Sequence, residues 1–299
     1  MHLLNLLLIL CQLNLVYCGW KNPFRKNKCD RHAGTSSYPG TIKSGAKGIG
    51  IVTGNGAKDN VFKCSAEQAN GIANTIKNMH EYAAVATSFL SQPGAERSAA
   101  YVAWFGQDNI NPYSKAKIQS IFRNIYDLGS TSKRNLKDND RFVDTIGVAC
   151  QTTHHVSRCK DHGVVAYAEP EDGRVFICPL AFFNNGHHLS DEAERAARSL
   201  WAESRKFQPT GGLYLLHEMT HLEAISGICP TKDYNYKAPE CVHLNDYESI
   251  YNAQNYVLFA LEVKTNPTNA RKQVNWNAND KRKDAIEKLR AGVNGKLET

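Results

Sequence analysis

The stretch "GGLYLLHEMTHLEAISG", Gly211–Gly227, carries H-E-x-x-H inside an apolar run whose spacing reads as a helix. Residues four apart share a helix face, so His217 and His221 can present two imidazoles to one ion. Glu218, one step round, can reach a water beside that ion without ligating it. Leu213, Leu216 and Leu222 mark a helix buried within a domain rather than laid on its surface. A catalytic zinc takes three protein ligands and keeps one position for water, so a third ligand must come from elsewhere. A Gly three residues and a His six residues after His221 would supply it in one known pattern, but Ala224 and Gly227 stand there. Spacing alone leaves Asp233, Glu240 and Glu248 open.

Around this stretch the chain has the composition of a globular protein. Of its 299 residues, 42% are hydrophobic and 22% charged, enough apolar material for a sizeable core. The start, "MHLLNLLLILCQLNLVYCGW", has an apolar run of secretory length closed by Val16-Tyr17-Cys18, so residues 1–18 read as a cleaved signal peptide. No later run is long and apolar enough to span a membrane. Seven cysteines follow the signal: Cys29, Cys64, Cys150, Cys159, Cys178, Cys229 and Cys241. In an oxidising compartment six would pair and one would be left over, and without a C-x-x-C a thiolate zinc site is not expected. The net charge of +7 lies mostly from Lys264 onward, where nine basic residues face four acidic ones. Without interleaved aromatics this reads as a solvated tail, and neither a nucleic-acid nor a membrane partner is expected.

Residues 19–60 are rich in Gly, Lys and Ser and read as an irregular arm or short prosegment. From Ser65, Ile72, Ile76, Met79, Ala83, Ala86 and Phe89 recur at helical spacing, and Pro93-Gly94 ends the run. Ile118, Ile121, Phe122, Ile125 and Leu128 mark another helix. "FVDTIGVAC", then "GVVAYAE" and "RVFICP" around the turn "PEDG", read as a β block with a hairpin. Helices return around Ser190, at the H-E-x-x-H segment, from about Asn245 to Val263, and near Asp280–Arg290. This order predicts an α+β fold, mostly helical with a small sheet. The doublets His154-His155 and His187-His188 read as exposed loop pairs, and His243 as structural.

Beyond the pentapeptide, "TKDYNY" resembles the T-x-D-x-x-Y element of the deuterolysin-type, or aspzincin, metalloendopeptidases. "FKCSAEQANGIANTI", "YVAWFG", "GRVFICP" and "NAQNYVLFA" resemble other segments of that family, in the same order, between about Phe62 and Ala260. The resemblance implies a zincin-like domain over residues 61–263, followed by the basic tail 264–299. It implies His217, His221 and Asp233 as ligands of one Zn2+ per chain, Glu218 as general base and Tyr236 as the phenol that steadies the oxyanion. It also suggests the bridges Cys64–Cys150 and Cys159–Cys178. A Cys229–Cys241 bridge would then close the loop around Asp233 and leave Cys29 odd. Lysine-specific members carry two carboxylates in the N-A-D-N-x-E segment, where this chain has Gln254 and Val257. These two are the expected substrate-pocket residues, and a neutral pocket loses the charge pairing that selects lysine. The expectation is a secreted, monomeric zinc endopeptidase acting on extracellular proteins or peptides without lysine specificity. The alternative is a secreted zinc-binding effector that does not cleave.

Overall fold

Ser65 begins the first long helix. Its hydroxyl accepts from the Gln68 amide at 3.1 Å while the Gln68 side chain accepts from the Ser65 N–H at 2.9 Å, a reciprocal cap. Helix α1 then runs Ala66–Leu90 and buries the face expected of it, from Ile72 through Ile76, Met79, Ala83 and Ala86 to Phe89. The computed structural model describes residues 46–53, 63–134, 145–151, 158–160, 163–170, 173–182 and 189–290, without the side chains of 130–134. The signal segment, most of the arm and both histidine doublets lie outside the described residues.

Two short helices follow, α2 (Ala99–Phe105) and α3 (Pro112–Tyr126). Next come α4 (Asp191–Ser204), α5 (Gly211–Thr220), α6 (Glu223–Ser226), α7 (Ala238–Cys241) and α8 (Asp246–Tyr251). The last are α9 (Ala253–Thr265), α10 (Pro267–Ala270) and α11 (Lys281–Arg290). α1, α5 and α9 pack on one another, and the aromatic rings of Phe105 on α2, Phe122 on α3, and Tyr256 and Phe259 on α9 meet in the core.

The sheet has five strands in the order β2-β1-β3-β5-β4, with β1 Gly48–Val52, β2 Gly129–Arg134, β3 Thr145–Cys150, β4 Ala166–Glu169 and β5 Arg174–Ile177. Its β4–β5 hairpin is the expected antiparallel pair. The remaining pairings are parallel. β1 corrects the reading of residues 19–60 as irregular throughout, since it sits inside the sheet between β2 and β3. The Gly-rich context of Gly48 to Val52 masked the strand, because glycine is depleted in strands and marks loops. The bridge Cys64–Cys150 ties the start of α1 to β3, and Cys159–Cys178 ties the segment before β4 to the end of β5.

Two further expectations change. The helix read as continuous from Asn245 to Val263 is α8 and α9, broken at Asn252, whose backbone is extended (φ −91°, ψ 117°). The C-terminal stretch read as a solvated tail is packed onto the domain. Ala270, Val274, Ala285 and Leu289 are buried, and α11 lies along α2. The Arg282 guanidinium donates to Ala103 O at 3.1 Å and to Ser249 Oγ at 2.8 Å, and also to Leu244 O. Its charges therefore mask a helix with a buried apolar face. Among the described residues no helix is long and apolar enough to cross a membrane.

Candidate metal centre

Helix α5 begins against α1 so closely that only glycine fits. A Cβ on Gly212 would stand 2.6 Å from Glu194 Oε1 and 2.9 Å from Asn78 Cβ, and one on Gly211 would stand 2.7 Å from Thr75 Oγ1. Thr210 makes no side-chain cap. Instead Glu194, reaching across from α4, accepts the Gly212 N–H at 2.7 Å and the Tyr82 hydroxyl at 3.0 Å. A buried carboxylate thus meets the positive end of the helix that carries the two histidines. Burial pushes its carboxyl above the usual range, against the hydrogen bonds it accepts. Sequence reasoning missed Glu194, although it lies on the same α4 face as Ala197 and Trp201, an acid among apolar positions.

At the other end, His217 and His221 are both buried, with ring centroids 5.0 Å apart. The chain turns through α6 and returns as the loop 231–237, which carries Asp233. The Thr220 hydroxyl meets Thr231 Oγ1 at 2.7 Å, and the Thr231 N–H donates to Thr220 O at 3.3 Å. Asn252 holds the far side of the loop. Its Oδ1 accepts from Tyr234 N at 2.9 Å and Asn235 N at 3.2 Å, and its Nδ2 donates to Asn235 O at 3.0 Å. A one-residue parallel bridge pairs Lys232 with Asn252, with Ala253 N donating to Lys232 O at 3.0 Å. The helix break at Asn252 is therefore what frames Asp233.

The Cys229–Cys241 bridge expected to frame that loop is absent. Cys241 is a free, buried thiol, 3.3 Å from Asn235 O and 3.4 Å from Asn252 Nδ2, and burial pushes its pKa up. Cys229 is disulfide-bonded, to a partner outside the described residues. Cysteine spacing could not distinguish these pairings, because it does not record which groups surround each sulfur in the fold.

The structure brings His217, His221 and Asp233 together, with one ligand atom from each lying within 4.8 Å of the others. Asp233 Oδ1 is 2.9 Å from His217 Nε2 and 3.2 Å from His221 Nε2. Ligands about 2.0–2.1 Å from a tetrahedral zinc sit roughly 3.4 Å from one another, so little movement separates this trio from a binding geometry. The other nitrogen of each ring meets an oxygen, Gln254 Oε1 at 3.2 Å from His217 Nδ1 and Thr231 O at 3.0 Å from His221 Nδ1. His221 Nε2 is buried and makes no well-aligned hydrogen bond, with Asp233 Oδ1 beside it, a setting that suits a cation. On both grounds the residues fit a zinc ion. Neither Glu240, which pairs with Lys237, nor Glu248 on α8 joins the cluster.

Charge couples the trio. Burial alone would lower the His221 pKa, but the Asp233 carboxylate, with Glu218 and the Thr231 carbonyl, raises it to about 9. Burial alone would raise Asp233, but the two histidines hold its carboxyl far below the ordinary range. Glu218 is buried beside the trio, and the Tyr236 ring stacks on His217 with centroids 5.7 Å apart and planes 19° apart. Gln254 and Val257, the expected substrate-pocket residues, are both buried, Gln254 with its amide against His217 and Val257 in the core.

The family model described as lysine-specific metallo-endopeptidase, the aspzincins, matches residues 90–261. The chain belongs to the aspzincin family. This aspzincin is 27% identical over 201 residues to a neutral protease 2 homolog of Colletotrichum graminicola, covering 67% of this chain and 48% of that protein. A neutral protease 2 homolog of Coccidioides posadasii is 25% identical over 256 residues, covering 77% of this chain and 66% of that one. The chain thus spans between about half and two thirds of the length of these curated relatives. Among solved structures, a zinc peptidase from Grifola frondosa superposes with a TM-score of 0.44 at 20% identity, covering 69% of this chain and 99% of that one.

Proposed function

We propose that this aspzincin is a secreted zinc-dependent endopeptidase, with His217, His221 and Asp233 holding one Zn2+ per chain. The observation that carries the reading is the convergence of these three side chains, with Glu218 and Tyr236 beside them, on one half-buried point. Zinc held there would supply a Lewis acid that brings the pKa of water near neutrality and polarises a peptide carbonyl. Glu218 takes the proton of the attacking water and returns it to the leaving amine. The Tyr236 hydroxyl donates to the carbonyl oxygen as negative charge develops on it. Asp233 balances part of the ion's charge and keeps the histidines turned inward.

The substrates are extracellular proteins or peptides. Two disulfides fit an oxidising compartment. The neutral Gln254 and Val257 stand where lysine-specific members carry carboxylates, which supports cleavage without lysine selectivity. Zinc content and casein cleavage, measured on wild type and Glu218→Ala, test the proposal. One zinc in each, with cleavage lost only in the variant, is the expected result. One zinc in each with no cleavage by either would replace the peptidase by a zinc-binding effector.

A further inference from the structure

Gln254 is 4% exposed and sits in the first turn of α9, two residues beyond the helix break that frames Asp233. Its neighbours are anchored on both sides. Ala253 N donates to Lys232 O at 3.0 Å, and Asn255 Nδ2 donates to Trp104 O and, at 3.3 Å, to Cys241 O. The backbone therefore cannot drift, and the side chain reaches His217 from a fixed origin. Oε1 lies 3.2 Å from Nδ1, on the side of the ring away from Asp233.

We propose that Gln254 is a positioning residue for the metal site: its Oε1 keeps the His217 proton on Nδ1 and leaves Nε2 bare for the ion. The inference rests on the reading of the trio as a zinc site. An imidazole that binds a metal through Nε2 carries its one proton on Nδ1, and an acceptor there fixes both the tautomer and the ring's rotation about its axis. The Thr231 carbonyl does the same for His221, 3.0 Å from its Nδ1. The two histidines thus face the ion from equivalent settings, one acceptor coming from the ligand loop and the other from α9. The reverse amide orientation would present an N–H to Nδ1 and move the ring proton to the nitrogen the ion needs. Gln254 Nε2 meanwhile has no hydrogen-bond partner and is buried. A buried donor left unpaired destabilises the fold, so Gln254 is a poor choice for packing alone and its contribution lies in the acceptor.

The experiment compares wild type, Gln254→Met and Gln254→Glu, reading the zinc Kd by competition with a chromophoric chelator and the Tm of each metal-free protein. Methionine removes the acceptor together with the unpaired donor, whereas glutamate keeps the acceptor. The expected result is a Kd weakened about 10- to 100-fold in Gln254→Met, the range typical of lost partners of metal-bound histidines. Its metal-free Tm stays near that of wild type, and Gln254→Glu binds zinc at least as tightly as wild type. Wild-type zinc affinity in Gln254→Met would overturn the positioning role alone. Loss of zinc in both variants in step with a lowered metal-free Tm would make Gln254 a packing residue. A wild-type protein that takes up no zinc would overturn the site reading and this inference with it.

Discussion

On the proposed zinc reading, zinc and a proton compete for His221. In the metal-free site the pKa of His221 is about 9, raised by Asp233 against the effect of burial. Zinc needs the unprotonated nitrogen, which at pH 7 is present in roughly one molecule in a hundred. The apparent affinity at pH 7 should therefore fall about 100-fold short of its value above pH 9. Chelator competition from pH 7 to 9 should give a slope of at least one decade per pH unit, flattening above about pH 9. Calorimetry in two buffers of different ionisation heat should show at least one proton released per zinc at pH 7. The metal-free fold carries the complementary signature. A histidine whose pKa is raised on folding contributes stability that is complete below its unfolded value near 6.5 and lost as pH rises through about 9. Stripped protein should thus lose stability across that window, by roughly 3 kcal/mol, while the zinc-loaded protein does not. A zinc affinity flat from pH 7 to 9, with no proton released, would refute the coupling of His221 to Asp233.

Three further outcomes test the fold that carries the site. Arg205→Met strips the buried Glu262 of the guanidinium 3.1 Å away, leaving its Trp201 and Asn266 hydrogen bonds. Urea unfolding should show a loss of about 3–5 kcal/mol, with much of it recovered in the Arg205→Met, Glu262→Met double variant; a single-variant cost below about 1 kcal/mol would deny the pair its role. Gly212→Ala, which in an open helix would be mildly stabilising, should instead cost about 1–3 kcal/mol by thermal unfolding, because its Cβ meets Glu194 and Asn78. Truncation after Asp280 removes Arg282 and the Leu289 carbonyl that Arg205 reaches at 3.0 Å, so Tm should fall by several degrees. An unchanged Tm would return residues 281–299 to the status of a free tail.

Much of this protein is written locally. The 3.6-residue spacing from Ile72 to Phe89, the Ser65 cap and the H-E-x-x-H run each depend on residues within a turn or two of one another, so periodicity and capping chemistry sufficed to place α1 and α5. The hairpin of β4 and β5 was legible for the same reason, with its alternation and turn adjacent in the chain. The bridges Cys64–Cys150 and Cys159–Cys178 followed from the family resemblance, but periodicity and spacing could not decide most of what is set by groups far apart. β1 is a strand because β2 and β3, about 80 and 100 residues away, flank it on both edges. The break at Asn252 exists because its backbone and amide are engaged by the loop around Asp233, which no helical propensity records. Glu194 caps a helix other than its own, and the thiol of Cys241 stays unpaired because it faces Asn235 and Asn252 rather than Cys229. Sequence by itself determined the chemistry on offer, two histidines one turn apart with a glutamate beside them. The tertiary structure decided which distant acid lies beside them, bringing up Asp233 rather than Glu240 or Glu248, because that depends on where the chain returns in space.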